Sequence, residues 1–251
     1  MKKHIKNIAL ATLLLGGASM MLTSCEDTLE KPSFTADDID YVFSDLDKAE
    51  LFVKGCYRGL IHKEQYYQYN AGDNVTYPTE EQFGGSKWMI GNYEYDPILP
   101  AALYTTYNES YRIIESCNVA IDRLEGMEAS AKRNALLAEV YVVRAFCYHN
   151  LIRFYGDIPA VWSPLSKLDP DNPETFYPHR TDRDVIYDHI IADIQDHVED
   201  LPWFSESTYG SAPERLTRQG AYGILARICL HAGGYSLRWN LETNDPASVS
   251  M

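Results

Sequence analysis

ASAKRNALLAEVYVVRAFCYHNLIRFYGDIP, residues 129 to 159, decides the fold class of this 251-residue chain. Side chains that recur at spacings of three and four residues mark one face of an α-helix. In this stretch they are Leu137, Val140, Arg144, Tyr148, Leu151 and Tyr155. Gly156 and Pro159 follow, and both residue types are common just beyond a helix C-terminus. The stretch therefore predicts a long helix from about Ala129 to Tyr155.

Four further segments show the same period. They begin near Ser44, Leu103, Thr181 and Thr217. Ser44 and Thr181 each have an Asp three residues later, a pattern that favours a helix N-terminus at those two positions. The inward faces are predicted to include Val185 on the fourth helix and Ile224 and Leu225 on the fifth. No segment with the period of a strand has comparable length, so the predicted fold class is mainly α, with stacked helix hairpins and long irregular loops.

The N-terminus predicts a lipoprotein signal peptide over residues 1–24. A lysine-rich start is followed by an apolar run over 8–22, which is too short to span a membrane, and nothing after it is long and apolar enough to do so. The sequence from Leu22 to Cys25 resembles the bacterial lipobox, in which the cysteine thiol is acylated. We therefore expect Cys25 to be a lipid anchor and 25–43 to be an extended acidic linker. An ordinary cleaved signal beside a cysteine is the alternative.

The composition is acidic, with 36 Asp and Glu against 22 Lys and Arg and a formal net charge of −14. Such a chain is a poor match for nucleic acid or anionic lipid, so no nucleic-acid partner is expected. Glu26 and Asp27, directly after the anchor cysteine, resemble the tag that sends some lipoproteins to the outer face of the outer membrane. The other cysteines are predicted to be single buried thiols, although an extracytoplasmic location permits disulfides. They are Cys56, Cys117, Cys147 and Cys229.

The stretch 66–100 is rich in aromatic residues and glycines and has no helical period. An aromatic ring packs well against the C–H face of a sugar, while nearby amide and carboxylate groups bond the hydroxyls. The predicted ligand-binding residues are therefore Trp88, Tyr93, Tyr95, Asp73, Asn74 and Asn92. The alternative is that these rings only fill the small core of the loop itself.

No motif for catalysis, phosphate binding or zinc binding is present in the sequence. His189, Asp193 and His197 share a helical face, but two turns separate the histidines, so they are predicted to be structural. The five prolines of 158–180 indicate a stiff, ordered surface loop, and Asp169 begins a solvated turn within it. We expect no cofactor, no metal ligand and no enzyme activity.

Three blocks resemble the SusD/RagB family of outer-membrane nutrient-binding lipoproteins. They are Ala138-Glu139 through Arg144-Ala145-Phe146 and Tyr148 to Tyr155-Gly156-Asp157-Ile158-Pro159, then Ile186-Tyr187 to Leu201-Pro202, and Arg215-Leu216-Thr217 to Gly233. The resemblance implies a tetratricopeptide-like helical protein at the cell surface. Such a protein captures a nutrient, foremost a glycan, and delivers it to a SusC-like TonB-dependent transporter of the outer membrane.

The same resemblance assigns a scaffold role to Arg144, Tyr148, Gly156 and Pro159. A buried guanidinium demands partners, so Arg144 is expected to be paired, and Glu139 need not be its partner.

Family members are longer than this chain. We therefore expect 44–235 to be the N-terminal half of a SusD-like helical domain and 236–251 to be a truncated polar tail. Three alternatives stay open: a peptide-binding family member, a non-functional truncated fragment, and a surface hydrolase.

Overall fold

The described part of the chain is built mainly from helices, which confirms the predicted fold class. The structure is a computed structural model and describes residues 39–61, 78–79, 82–83, 101–172, 175–207 and 215–236. Its α-helices are α1 (Ile39–Val42), α2 (Leu46–Arg58), α3 (Ala101–Glu125), α4 (Ala131–Tyr155), α5 (Arg183–His197) and α6 (Arg218–Ala232). The helix α1 belongs to a separate unit, and α2 to α6 lie in the unit that begins at Phe43.

Two short antiparallel hairpins accompany the helices in the described residues. Strand β1 (Pro78–Thr79) pairs with β2 (Gln82–Phe83), so that Pro78 lies opposite Phe83. Strand β3 (Ile158–Pro159) pairs with β4 (Arg180–Thr181), with Ile158 opposite Thr181. The second hairpin brings together the two ends of the loop between α4 and α5.

The caps of α2 and α5 lie one residue later than predicted. Asp45, not Ser44, is the N-cap of α2, and its Oδ1 accepts a hydrogen bond from the Lys48 N–H at 2.9 Å. Asp182, not Thr181, caps α5 and accepts from the N–H two residues further on at 2.7 Å. An Asp adds negative charge to the positive end of the helix dipole, which favours it over the preceding hydroxyl residue.

Helix α4 is the central helix of the described stack. It packs against α3 on one side and α5 on the other, and it also contacts α2 and α6. Most of its length from Leu136 to Ile152 is buried, so apolar residues surround the helix instead of forming one stripe. Ala131–Tyr155 is long and apolar enough to span a membrane, so the prediction that nothing after the signal could do so was wrong. In this fold 89% of its most apolar window is buried, as in a core helix.

The outer helices are less buried than predicted. Val185 is 58% exposed, because α5 turns only the stripe through Ile190 and Ile194 toward α4. Ile224 and Leu225 are half-buried on α6. The sequence therefore overestimated the width of the buried face on α5 and α6, because these two helices pack against fewer helices than α4 does.

The four cysteines in the described residues are free thiols. Cys56, Cys117 and Cys147 are buried, as predicted. Cys229 is exposed on α6, which contradicts the prediction of a buried thiol at this position. The reason is that α6 packs on α5 and α4 through the stripe of Ala221 and Ile228, both fully buried, and Cys229 lies beside that stripe.

A network of charged side chains joins α2 to α4 and to the segment before α6. Glu139 is fully buried; Tyr57 donates its hydroxyl to Glu139 Oε2 at 2.7 Å, and Arg215 Nε donates to the same oxygen at 3.0 Å. Arg215 also donates to Glu50 at 2.6 Å. The pKa of Glu50 is lowered to about 2, and the hydrogen bond from Lys132 makes the largest contribution to this shift. The buried carboxylate is thus compensated by a phenol and a guanidinium, as burial of a charge requires.

Candidate functional site

The predicted ligand-binding residues of the 66–100 stretch lie outside the described residues, as does the predicted lipidation site Cys25. They stay predictions: Trp88, Tyr93, Tyr95, Asp73, Asn74 and Asn92. The site that the structure does describe is a cavity between α3 and the loop 158–182.

This loop is fastened to the helices through its backbone. The Tyr111 hydroxyl donates to the Pro159 carbonyl at 2.7 Å, and the Glu115 carboxylate accepts from the Leu165 N–H at 3.0 Å. Asn118 Nδ2 donates to the carbonyl of Val161 at 3.0 Å. The side chains of α3 therefore fix one wall of the cavity, as the prediction of an ordered loop requires.

Arg144 lies behind this wall and is only 3% exposed. Its Nη2 donates to Asp193 Oδ2 at 2.7 Å, and its Nη1 donates to Asn118 Oδ1 at 2.9 Å. The ion-pair partner is thus Asp193 on α5 and not Glu139 of the same helix. Because Asn118 in turn bonds the loop, the guanidinium connects α3, α4, α5 and the loop in one polar network.

Tyr148 and Trp162 connect α4, the loop and α5 through hydrogen bonds and ring contacts. The Tyr148 hydroxyl donates to the Val161 carbonyl at 2.7 Å and accepts from the Val161 N–H at 2.8 Å. Burial raises the pKa of Tyr148, so the hydroxyl keeps its proton. The Trp162 ring lies 4.6 Å from the Tyr148 ring and stacks on His189 at 3.8 Å between centroids.

Both histidines of α5 stack on aromatic rings. His197 lies over Tyr141 with 4.3 Å between ring centroids, and His189 lies over Trp162. Burial lowers the pKa of His189. Across the described part of the chain, no three His, Cys, Asp or Glu side chains are grouped as a metal ion would require.

Gly156 ends α4 in a conformation that other residues rarely adopt, with φ at 69°. A Cβ at this position would lie 2.6 Å from Arg183 Nη2. Arg183 Nε donates to the buried carboxylate of Asp157 at 3.0 Å, which fixes the start of the loop against α5. The turn therefore needs a residue without a side chain.

The cavity has a volume of about 420 Å³. Its α3 wall consists of side chains at helical spacing: Tyr107, Tyr111, Ile114, Glu115 and Asn118. Its loop wall consists of Pro159, Val161, Leu165, Phe176, Tyr177 and Pro178. Tyr177 is 82% exposed, and Phe176 is also exposed. The volume lies within the range of small-molecule sites, and the lining is mainly apolar with a few polar groups.

The cavity presents aromatic rings and, among its described residues, one carboxylate. The ring of Tyr107 lies 4.8 Å from that of Tyr111. The pKa of Tyr111 is raised mainly because the hydroxyl is buried, and the nearby Tyr107 raises it further. Tyr111 therefore stays neutral at physiological pH. Glu115 is the one carboxylate among the described lining residues, whereas glycoside hydrolysis generally uses a pair.

Sequence reasoning did not identify this cavity. More than sixty residues separate Tyr107 and Tyr111 from Phe176 and Tyr177, so the contact between these two groups leaves no local signal in the sequence. The clustering of rings at helical spacing next to a proline-rich loop was the available hint.

Comparisons with known proteins agree on one family. A family described as starch-binding and associating with the outer membrane matches residues 38–230. SusD-like protein P25 of Formosa agariphila is 25% identical over 186 residues, which are 68% of this chain and 34% of that protein. The chain thus spans about a third of the length of this curated relative.

Solved structures show the same fold. A SusD-like carbohydrate binding protein from Bacteroides fragilis superposes with a TM-score of 0.61 and 21% identity, covering 75% of this chain and 38% of that one. A laminarin binding SusD-like protein gives a TM-score of 0.56 and 20% identity, covering 74% of this chain and 40% of that one. These likenesses support the tetratricopeptide-like arrangement of the helices. Because the family match covers most of its length, this chain belongs to the SusD-like family.

Proposed function

We propose that this chain captures a glycan at the cell surface and delivers it to a TonB-dependent outer-membrane transporter of the SusC type. The observation that carries the proposal is the match of residues 38–230 to a family described as starch-binding and associating with the outer membrane. The carbohydrate-binding and laminarin-binding names of two structural relatives support it.

The aromatic cavity supports glycan capture on chemical grounds. Sugars present flat C–H faces to aromatic rings and hydroxyls to polar groups. Tyr177 and Phe176 expose ring faces at the rim, and Tyr107 and Tyr111 lie deeper on α3. The carboxylate of Glu115 lies among these rings and already accepts one backbone bond, which leaves lone pairs for a hydroxyl donor.

The aromatic stretch 66–100 would supply the rest of the binding surface. Its ligand contacts are proposed to be the stacking residues Trp88, Tyr93 and Tyr95 and the polar residues Asp73, Asn74 and Asn92. Trp88 is the first choice for substitution, because an indole offers the largest stacking face.

Native gels that contain a panel of neutral polysaccharides, laminarin included, test the proposal directly. The chain is produced from residue 25 onward with Cys25 replaced by Ser, and helical circular dichroism confirms folding first. Retardation by one polymer is expected. Trp88→Ala should abolish this retardation, and Tyr177→Ala should weaken it, because the exposed ring of Tyr177 lines the described cavity.

Tyr235→Ala is the matched control, since Tyr235 is 97% exposed and does not line the cavity. It should leave retardation unchanged. A folded chain that no polysaccharide retards would contradict glycan capture, and retention of peptides instead would favour the peptide-binding alternative.

The anchor and the transporter need separate tests. Cys25→Ala in the full-length precursor should release the protein from the membrane fraction, because a stable anchor needs acyl chains on that thiol. Cross-linking in membranes should capture a TonB-dependent barrel with the wild-type protein. Persistent membrane binding by Cys25→Ala would rule out the lipid anchor at this residue.

A further inference from the structure

A second, smaller cavity lies between α4 and α6, away from the aromatic cavity. Its volume is about 270 Å³. Its lining comes from Phe146, His149, Gly220, Gly223, Ile224 and Arg227. The volume is slightly below the range of drug-sized ligands, so it suits a single small group.

His149 in this cavity is a buried polar side chain that has no hydrogen-bond partner in the described part of the chain. The residue is 1% exposed, and neither ring nitrogen has a hydrogen-bond partner within the described residues. Its ring neighbours are His231, at 4.8 Å in an edge-on arrangement, and Tyr187, at 6.2 Å. Buried polar groups in folded proteins nearly always have a hydrogen-bond partner, so a bound group that bonds this imidazole would satisfy it.

The surroundings of His149 are cationic. Burial, followed by the nearby charges of His231, Arg153 and Arg227, lowers the pKa of His149 to about 3. A neutral imidazole carries one N–H donor and one acceptor nitrogen. Arg227 lines the cavity and Arg153 lies near His149, so in a chain with a net charge of −14 this cavity is a local site for a negative charge.

The glycines of α6 keep the cavity open. A Cβ at Gly223 would meet no atom within 4 Å, and one at Gly220 would only reach ordinary contact with Thr217. Glycine within a helix is less favourable than alanine. Gly223 therefore lowers the stability of α6 relative to an alanine at this position. In return it leaves open space that a bound group can occupy.

We propose that this cavity binds the carboxylate of a uronic-acid unit, held by the Arg227 guanidinium and the His149 N–H. Arg227 presents a planar fork of donors that matches the two oxygens of a carboxylate. The imidazole supplies the second donor at the buried end. The proposal rests on the proposed glycan capture and adds that acidic sugars are preferred.

Calorimetry with oligogalacturonate and with a neutral galactose oligomer of equal length tests the preference. The soluble chain with Cys25 replaced should bind the uronate at least tenfold more tightly than the neutral oligomer. Arg227→Gln should remove this preference. Since Arg227 is exposed, the variant is expected to fold. Arg112→Gln on α3, which is outside the cavity and 77% exposed, is the matched control and should keep the preference.

Gly223→Leu provides a second variant that changes no charge. It should fill the cavity and abolish uronate binding without loss of helical signal. Equal affinity for both oligomers, no uronate binding, or a preference that survives both Arg227→Gln and Gly223→Leu would overturn the proposal. Retention by a neutral polysaccharide in the native gel together with any of these results would leave glycan capture intact and reject only the carboxylate site.

Discussion

Replacing Arg144 by Met should lower the free energy of unfolding by about 3 kcal/mol. The substitution leaves Asp193, which is 15% exposed, without its ion-pair partner at 2.7 Å, and Asn118 without its bond at 2.9 Å. Removal of one member of a buried pair generally costs about 3–5 kcal/mol. We expect the lower end, because partial exposure lets water reach the Asp193 carboxylate.

Urea unfolding followed by far-UV circular dichroism measures this loss in the chain with Cys25 replaced. Arg112→Met is the control, because its ion pair with Glu109 is largely exposed and should change stability by no more than about 0.5 kcal/mol. The double variant Arg144→Met with Asp193→Leu should be more stable than Arg144→Met alone, since no uncompensated charge remains. An Arg144→Met variant as stable as the control, or a double variant no better than the single one, would refute the network.

Three further predictions concern pH, the turn after α4 and thiol access. The contribution of Glu50 to stability should be constant above about pH 4.5 and fall by about 1 kcal/mol as pH decreases toward 2, because the pKa of Glu50 is lowered in the fold; in urea titrations the difference in stability between the wild type and Glu50→Gln should shrink by this amount over that range. Gly156→Ala should cost about 1–3 kcal/mol, seen as a lower melting temperature, since φ is positive and the new methyl would meet Arg183. With Cys25 replaced, an alkylating reagent should modify Cys229 rapidly, and mass spectrometry should find the three buried thiols unmodified until urea is added.

The sequence predicted α2 to α6 well because each of these helices carries a long periodic face. Helix α4 matched within two residues, since its glycine stop and its repeated apolar positions are strong local signals. The N-caps of α2 and α5 were misplaced by one residue, because two adjacent residues at each position have side chains that can cap a helix and the sequence pattern does not distinguish them. Local pattern thus locates an element more reliably than its first residue.

The site was harder to predict because its parts are distant in sequence. That Arg144 needs a partner follows from its apolar surroundings, but the choice of Asp193 depends on how α5 packs against α4. The exposed position of Cys229 likewise depends on which face of α6 is covered. The aromatic cavity needs α3 and the loop to meet, and no local rule brings Tyr111 and Tyr177 together.

The fastening of the loop 158–182 has a consequence for how this wall could change during evolution. The bonds from α3 and α4 reach main-chain atoms at Pro159, Val161 and Leu165, which every residue type provides apart from the missing proline N–H. Substitutions among the loop side chains would keep those anchors in place. The helices therefore act as a constant frame, and the rings at 176 and 177 are free to diversify toward new ligands without refolding the wall that carries them.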